Sequence, residues 1–292
     1  MSLEDKAVLL CVDFSIPSGT KADKNLSEKI AFDNNVEGGR KRAGNYQKIT
    51  MERKLFKPYH KIKSEIMGYI DSVTLPYMNG SNMRILGNGS VIEASNVIRK
   101  AKNAWHHEKS LTSAAYDGHV EEAKVRLGSL FNVNDYPFAD ALLNKLHFSS
   151  SIRPIPSLDG MDFRFDHGAS QEELRKIEEE AKEDMIESMR SSIKDLHYKM
   201  HDAVTHMKSV LDKEDPRIFN SLINKVHNVV KVVPHLNIME DQNLSMIAKE
   251  MEDGLLCYGI EELRDSEGTR SGVVSSATQI IEKMERIYGL ES

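Results

Sequence analysis

The sequence predicts a mainly α-helical protein, in which an N-terminal α+β region precedes a C-terminal helical bundle built around one long helix. Three observations support this class. A heptad-like apolar stripe runs through the C-terminal half. Short apolar runs separated by glycine and proline occupy the N-terminal half. The chain of 292 residues is 40% hydrophobic and 29% charged, a balance typical of long solvated helices. We therefore predict an N-terminal region over 1–165 and a helical bundle over 166–292.

The first elements are short and separated by polar sequence. Residues 7–12 form an apolar run followed by proline and glycine, which predicts a buried strand. Residues 18–47 are polar and rich in glycine, which predicts a loop with one short helix near 26–32. Apolar residues then recur every three or four positions over 49–73, which predicts a helix that Pro58 interrupts.

A second long helix is predicted after a glycine-rich turn. Residues 83–86 predict a short strand before that turn. Ser90 has the character of an N-cap, and Glu93, three residues later, completes a capping box for a helix that continues to Leu127. An extended stretch with two prolines follows over 149–165, and we place the boundary between the two regions there.

The C-terminal half predicts one helix over about 171–213. Its apolar residues alternate by three and four from Ile186 to Val210, a heptad pattern typical of a coiled coil. At about 1.5 Å per residue the helix is roughly 60 Å long, so it needs a partner helix, either from later helices folding back or from a second copy of the chain. The later helices are predicted over 216–233, 244–264 and 273–288. Its apolar, methionine-rich face predicts an oligomer or partner surface formed by Met189, Ile193, Leu196, Met200 and Met207.

Composition argues against several classes of protein. Cys11 and Cys257 lie far apart without CxxC spacing, so neither a disulfide framework nor a zinc ribbon is expected. No apolar run approaches the roughly 18 residues of a membrane span. The N-terminus lacks the basic start and the length of a signal peptide. We therefore expect a cytoplasmic protein without membrane association.

A search for catalytic motifs predicts neither catalytic residues nor a cofactor. Serine nucleophile elbows, phosphate-binding loops and dinucleotide fingerprints are absent from the sequence. His197 and His201, four residues apart on one helix face, form a weak candidate metal site that requires a third ligand from elsewhere. Surface or interhelical histidines are the simpler interpretation.

The strongest charge asymmetry lies in residues 40–63. This segment holds nine lysines and arginines against one glutamate, an excess of +8 in a chain of net charge −6. Such an excess is typical of contact with nucleic-acid phosphate, although a solvated helix face with a basic loop explains it as well. The candidate phosphate contacts are Arg40, Lys41, Arg42, Arg53, Lys54, Lys57 and Lys61.

Several short motifs occur in a fixed order along the chain. They are Ala43-Gly44-Asn45-Tyr46 with Lys48, Thr74-Leu75-Pro76-Tyr77, Met83-Arg84-Ile85-Leu86, the segment 126–132, Asp135-Tyr136-Pro137, Phe163-Arg164-Phe165, and the segments 203–207, 218–222 and 233–237. Together they resemble an uncharacterised family of domains of unknown function found in bacteriophages and other mobile elements. The resemblance spans about residues 8–252. Residues 16–19 depart from the family pattern, which has an aromatic residue before Gly19.

The resemblance implies no activity and no catalytic residues. Similar proteins are encoded near MoxR-type AAA+ ATPases and proteins with von Willebrand A-type domains, which implies an adaptor in a remodelling system. We therefore expect a phage-type, non-enzymatic interaction or assembly protein of the host cytoplasm, an adaptor or inhibitor acting on a host or phage complex. Its partner is expected to be another protein or a second copy of the chain. The alternative is a nucleic-acid-associated protein that contacts phosphates through residues 40–63.

Overall fold

The computed structural model describes residues 6–77, 81–136, 138–155, 171–237 and 240–289. The strands are Ala7–Ser15 (β1), Thr20–Ala22 (β2), Gln47–Ile49 (β3), Thr74–Pro76 (β4), Met83–Gly87 (β5) and His147–Pro154 (β6). The helices are Lys24–Asp33 (α1), Arg40–Ala43 (α2), Arg53–Val73 (α3), Val91–Leu127 (α4), Ala139–Lys145 (α5), Gln171–Leu211 (α6), Asn220–Leu236 (α7), Gln242–Leu255 (α8), Ile260–Asp265 (α9) and Glu267–Tyr288 (α10). The predicted mainly α class with an N-terminal α+β region is confirmed.

The chain forms two compact units that are not consecutive in sequence. Unit 1 comprises Met1–Val12, Gly68–Asn96 and Ser150–Ser292, and unit 2 comprises Asp13–Met67 and Val97–Ser149. The predicted division near residue 165 differs from this arrangement. The physical reason is that β4 and β5 pack against α6 and α7, so N-terminal strands share a unit with the C-terminal helices.

Unit 1 is a helical bundle with a sheet. The long helix α6, predicted over about 171–213, is confirmed, and it packs against α7 and α10, while α8 packs against α7 and α10. The helices after α6 therefore fold back along it, which was one of the two predicted solutions. The predicted N-cap Ser170 and most of the extended stretch 149–165 lie outside the described residues, although β6 covers the start of that stretch.

The apolar stripe of α6 is part of the core of unit 1. Its side chains are at most 7% exposed at Met189, Ile193, Leu196, Met200 and Met207. A side chain buried by the helices of its own chain cannot also line a free surface, so the interpretation of these five residues as an oligomer or partner face needs correction. A heptad pattern indicates that a face is covered, but it does not indicate which helix covers it.

The sheet of four strands has the order β4-β5-β1-β6. β5 pairs antiparallel with β4 and with β1, and Leu9 lies opposite Ile85 in the second pairing. Leu9, Leu10, Ile85 and Leu86 are buried, as expected for the apolar runs that predicted β1 and β5. β1 continues three residues beyond the predicted strand, and β4 was not predicted because proline ends its three residues.

A lysine joins the sheet region of unit 1 to α6. The Lys199 ammonium donates to the carbonyl oxygen of Thr74 at 2.8 Å and to that of Asp71, which lies in the last turn of α3. Burial, with the nearby Arg84 guanidinium, lowers the pKa of Lys199 to about 8. The contact satisfies carbonyl groups that the end of a helix leaves without intrahelical partners.

Unit 2 has an aromatic core. Trp105 packs edge-on against Tyr59 with 4.8 Å between ring centroids, and it also contacts Phe14 at 5.6 Å. The Tyr59 hydroxyl shares a 2.7 Å hydrogen bond with the Thr112 hydroxyl. Further buried members of this core are Met51, Phe56, Tyr116, Ala123, Tyr136 and Leu146. These side chains come from β1, α3, α4 and the segments after β3, α4 and α5, so the core fixes the loops that carry the site described next.

Two local predictions differ from the structure. The segment 18–47 was predicted as a loop with one helix, but it contains β2, α1, α2 and the start of β3. The single helix predicted over 244–264 is divided into α8 and α9. Glu262 accepts a hydrogen bond from the Gly259 amide at 2.7 Å, which starts a new helix there. No helix among the described residues combines the length and apolar character needed to cross a membrane.

Candidate binding site in unit 2

A two-stranded hairpin brings two lysines to one face of unit 2. β2 and β3 pair antiparallel, with Lys21 directly opposite Lys48. Like charges at directly opposed positions of an antiparallel pair repel each other, so this register needs a negative partner. Lys48 is also 5% exposed, and a lysine is rarely buried without such a partner.

Asp135 is that partner. One carboxylate oxygen lies 2.8 Å from the Lys21 ammonium, and the other lies 2.6 Å from the Lys48 ammonium. The side chains of Asp135 and Lys48 are both 6% exposed, whereas that of Lys21 is 52% exposed. A single carboxylate therefore bridges two strands from a loop more than 80 residues away in sequence.

Lys48 has two further contacts. Its ammonium lies 3.2 Å from the carboxylate of Asp23, the N-cap of α1, and it donates to the Leu130 carbonyl at 3.0 Å. We call Lys21, Asp23, Lys48 and Asp135 the ion cluster. It joins β2, the start of α1, β3 and the loop after α4.

The pKa values in the ion cluster follow from these contacts. The contact with Asp135 outweighs burial and raises the pKa of the Lys48 ammonium. Burial favours a higher pKa for Asp135, but Lys21 and Lys48 outweigh it and hold the pKa of that carboxyl below its ordinary value. A hydrogen bond from the Leu26 amide, followed by Lys48, lowers the pKa of Asp23. Asp23, Lys48 and Asp135 therefore remain charged near neutral pH.

The chemistry of the ion cluster favours positioning over catalysis. A carboxylate whose pKa is lowered is a weak general base, because catalytic bases work best with a pKa near the operating pH. An ammonium whose pKa is raised is a weak nucleophile, because only the neutral amine attacks. Asp135 and Lys48 therefore hold segments together and do not form an acid-base pair.

A cavity of about 510 Å³ lies beside the ion cluster. Its wall includes residues 17–21, the Thr50–Met51 step after β3, Tyr116 of α4, residues 134–136, and Leu142 and Lys145 of α5. Pockets of 300–1,000 Å³ are typical of small-molecule sites. A cavity of small-molecule size in unit 2 therefore lies next to the buried charges of Lys48 and Asp135.

One wall of the cavity is fixed by the backbone at Gly19. The Gly19 carbonyl accepts hydrogen bonds from the Thr50 amide, the Met51 amide and the Thr50 hydroxyl at 2.9 to 3.0 Å. Gly19 has φ +70°, and an added Cβ would lie 2.5 Å from the Met51 carbonyl oxygen. Only glycine fits this position, so the wall is preformed.

The structure places the predicted basic segment in unit 2 and divides it into two groups. Arg40 lies 3.7 Å from Glu28, Lys54 lies 3.0 Å from Glu52 and 3.3 Å from Glu122, and Lys61 lies 3.9 Å from Glu65. Within the described part of the chain, no ion pair is found for the exposed side chains of Lys41, Arg42, Arg53 and Lys57. Their role in nucleic-acid binding stays a prediction.

The candidate metal ligands are each placed beside a different carboxylate. The Nε2 atom of His197 is 3.7 Å from Asp241, and its ring stacks on Tyr288 at 3.6 Å between centroids. The Nε2 atom of His201 is 3.5 Å from Glu285. Among the described residues, no group of three or more histidine, cysteine, aspartate or glutamate side chains could hold a metal ion.

Sequence reasoning missed the ion cluster. In the sequence, Lys48 is one of the basic residues of 40–63, and Asp135 belongs to one of the motifs of the family resemblance. The signal for both residues is that each is the charged residue of one such motif. Comparison of the chain with family models, curated proteins and solved structures finds no significant match.

Proposed function

We propose that the chain is a phage-type, non-enzymatic interaction protein that binds a partner protein through unit 2. The observation that carries the proposal is the exposure of Val133 and Phe138, which are 67% and 89% exposed on either side of the buried Asp135. Large exposed apolar side chains close together in the sequence are candidates for a binding surface. The weak basicity of Asp135 and the weak nucleophilicity of Lys48 support the non-enzymatic part of the proposal.

The loop that carries these two side chains is held in place before a partner binds. Asp135 ties it to the hairpin through Lys21 and Lys48, and the Tyr136 hydroxyl donates to the Thr50 carbonyl at 3.2 Å. A loop that is already ordered loses little conformational entropy on binding. The ion cluster would thus increase affinity by holding Val133, two residues before Asp135, in a fixed position.

The test is an untagged pull-down from expressing or infected cells with three proteins. These are the wild type, the double variant Val133→Ser/Phe138→Ser, and the control Val125→Ser. Val125 is 85% exposed on α4 of the same unit, so the control also removes an exposed apolar side chain. Each capture is divided, one half is treated with nuclease, and proteins are quantified by mass spectrometry. Light scattering measures the mass of each purified protein.

The expected result is a stoichiometric protein that survives nuclease, binds the wild type and Val125→Ser alike, and is lost with the double variant. If the wild type has twice the mass of one chain in light scattering and the double variant has the mass of one chain, the partner is a second copy of the chain. Equal capture by all three proteins, or protein capture that disappears with nuclease, would refute the proposal.

One observation favours nucleic acid as a second candidate partner. Unit 2 holds 19 lysines and arginines against 13 aspartates and glutamates, a net charge of +6. Unit 1 holds 20 against 32, a net charge of −12. The exposed side chains of Lys41, Arg42, Arg53 and Lys57 contribute to the positive unit and are available to phosphate groups.

Salt dependence tests this second candidate. Fluorescence anisotropy of a labelled DNA duplex is measured with three proteins. They are the wild type, a variant with glutamine in place of Lys41, Arg42, Arg53 and Lys57, and the single-charge control Lys24→Gln. Each phosphate contact contributes about −0.9 to the slope of log K against log salt, so four lost contacts would reduce the slope by about 3.6. Absence of saturable binding at low salt would exclude this function.

A further inference from the structure

We propose that the cavity of unit 2 binds a small organic anion that combines a flat ring with a phosphate group. This inference goes beyond the proposed protein interaction, because the ligand would occupy the space behind the exposed loop and not its surface. The argument rests on the size, the preformed wall, the lining and the charge of the cavity.

The volume fits a ligand of mononucleotide size. About 510 Å³ is well within the range of small-molecule pockets and much larger than the space that one or two waters need. The three hydrogen bonds to the Gly19 carbonyl fix one wall, and the buried Met51 forms part of the floor. A ligand would therefore not have to open the site.

The lining has an apolar and aromatic side. Tyr116 and Tyr136 are 5% and 9% exposed, and both belong to the aromatic core of unit 2. Leu142 of α5 faces the same cavity. Aromatic side chains favour stacked or edge-on contact with a flat ring, so this side suits a ring better than a branched aliphatic group.

The lining also has a polar side with an excess of positive charge. Lys21 and Lys145 line the cavity with Asp135, and two ammonium groups against one carboxylate leave one positive charge. Both oxygens of Asp135 already contact ammonium groups, Lys21 on one side and Lys48 on the other. A cationic ligand would have to displace one of them, whereas an anion gains contacts with Lys21 and Lys145.

Hydroxyl groups beside these lysines complete the polar side. The Ser18 and Thr20 hydroxyls lie 3.0 Å apart in the loop before β2, and both line the cavity. Hydroxyls donate to phosphate or carboxylate oxygens, and an ammonium strengthens such a contact by its charge. A ring on the apolar side and an anionic group near Lys145 is therefore the arrangement that the lining favours.

The experiment uses the full chain and three probes, adenosine 5′-monophosphate, adenosine and inorganic phosphate. Isothermal titration calorimetry and ligand-observed saturation-transfer NMR measure binding up to about 5 mM probe. Lys145→Gln removes the lysine that lies outside the ion cluster, and Lys24→Gln on α1 is the matched control. Leu142→Phe places a bulkier ring on the apolar side of the cavity without changing its charge, and circular dichroism checks that each variant is folded.

The proposal expects saturable binding of the monophosphate and much weaker binding of adenosine and of phosphate. Lys145→Gln should weaken binding by about threefold to tenfold, the effect of one charge-assisted contact, while Lys24→Gln leaves it unchanged. Leu142→Phe should also weaken it, because the added ring occupies part of the apolar side of the cavity. Absence of binding by every probe overturns the proposal, as does equal binding of adenosine and the monophosphate, binding of phosphate alone, or an unchanged affinity in folded Leu142→Phe.

Discussion

The sharpest test of the ion cluster is Lys48→Met. The substitution keeps the length of the side chain and removes the ammonium that contacts Asp135 at 2.6 Å, Asp23 at 3.2 Å and the Leu130 carbonyl at 3.0 Å. Removing one partner of a buried ion pair typically costs about 3–5 kcal/mol, because the other charge is left buried. Asp135 keeps Lys21 at 2.8 Å, so we expect the lower end, about 3 kcal/mol.

The single tryptophan makes this loss measurable in unit 2. Trp105 is 2% exposed in the aromatic core of that unit, so its fluorescence follows the unfolding of unit 2 in urea. With a typical slope of about 2 kcal/mol per molar urea, a loss of 3 kcal/mol moves the midpoint down by about 1.5 M. Lys54→Met is the control, because Lys54 has two carboxylate partners but its side chain is 58% exposed, and its midpoint should not change measurably.

A double variant and the pH dependence of stability distinguish the loss of the ion pair from a loss of packing. Lys48→Met/Asp135→Leu removes both buried charges and should recover at least half of the lost stability. The pKa of Asp135 is lowered in the folded state, so its contribution is present above about pH 4 and is lost as the pH falls through the folded value. The difference between wild type and Lys48→Met should therefore shrink in acid. If Lys48→Met has no larger effect than Lys54→Met at pH 7, the reasoning about the cluster is wrong.

Three further predictions concern unit 1. Burial lowers the pKa of His197 against the opposing effect of Asp241, so unit 1 should lose stability as the pH falls below about 6.5. His197→Asn should flatten the dependence of Tm on pH between 5.0 and 7.5, measured by circular dichroism. An unchanged slope of Tm against pH would contradict this. Tyr69→Phe removes a buried hydroxyl that has no hydrogen-bond partner among the described residues. The free energy of unfolding should therefore stay constant or rise by up to about 1 kcal/mol, with Tm unchanged or higher. A clear fall in Tm would show that the hydroxyl makes a stabilising contact. Met200→Ala in the fully buried stripe of α6 should cost about 2–5 kcal/mol in thermal unfolding, whereas a loss below 1 kcal/mol would suit an exposed face.

The long helix and the main strands could be predicted because their signals are local. The stripe of α6 repeats from Ile186 to Val210 within a helix of 41 residues, and the apolar runs of β1 and β5 are bounded by glycine or proline. The hairpin β2/β3 was missed because each strand has three residues without apolar alternation. Its pairing is set by tertiary contacts with Asp135, which no local pattern contains.

The candidate site could not be predicted for the same reason. Lys21, Lys48 and Asp135 acquire their roles only when the hairpin register and the loop after α4 are known. In the sequence, Lys48 is one of nine basic residues in 40–63, and its charge does not distinguish it from the exposed lysines. For the covered face of α6 the sequence has a different shortcoming. Its periodicity identifies the buried residues but does not show whether this chain or a second copy covers them.

The two units carry net charges of opposite sign, which the net charge of the whole chain does not show. A value of −6 suggests no particular partner, but it is the sum of +6 in unit 2 and −12 in unit 1. Unit 2 also enters the sequence as two segments, Asp13–Met67 and Val97–Ser149, each between parts of unit 1. Segments inserted into a framework often carry function, because the framework tolerates their change. A negatively charged partner would therefore be attracted to unit 2, which carries both the exposed loop and the cavity.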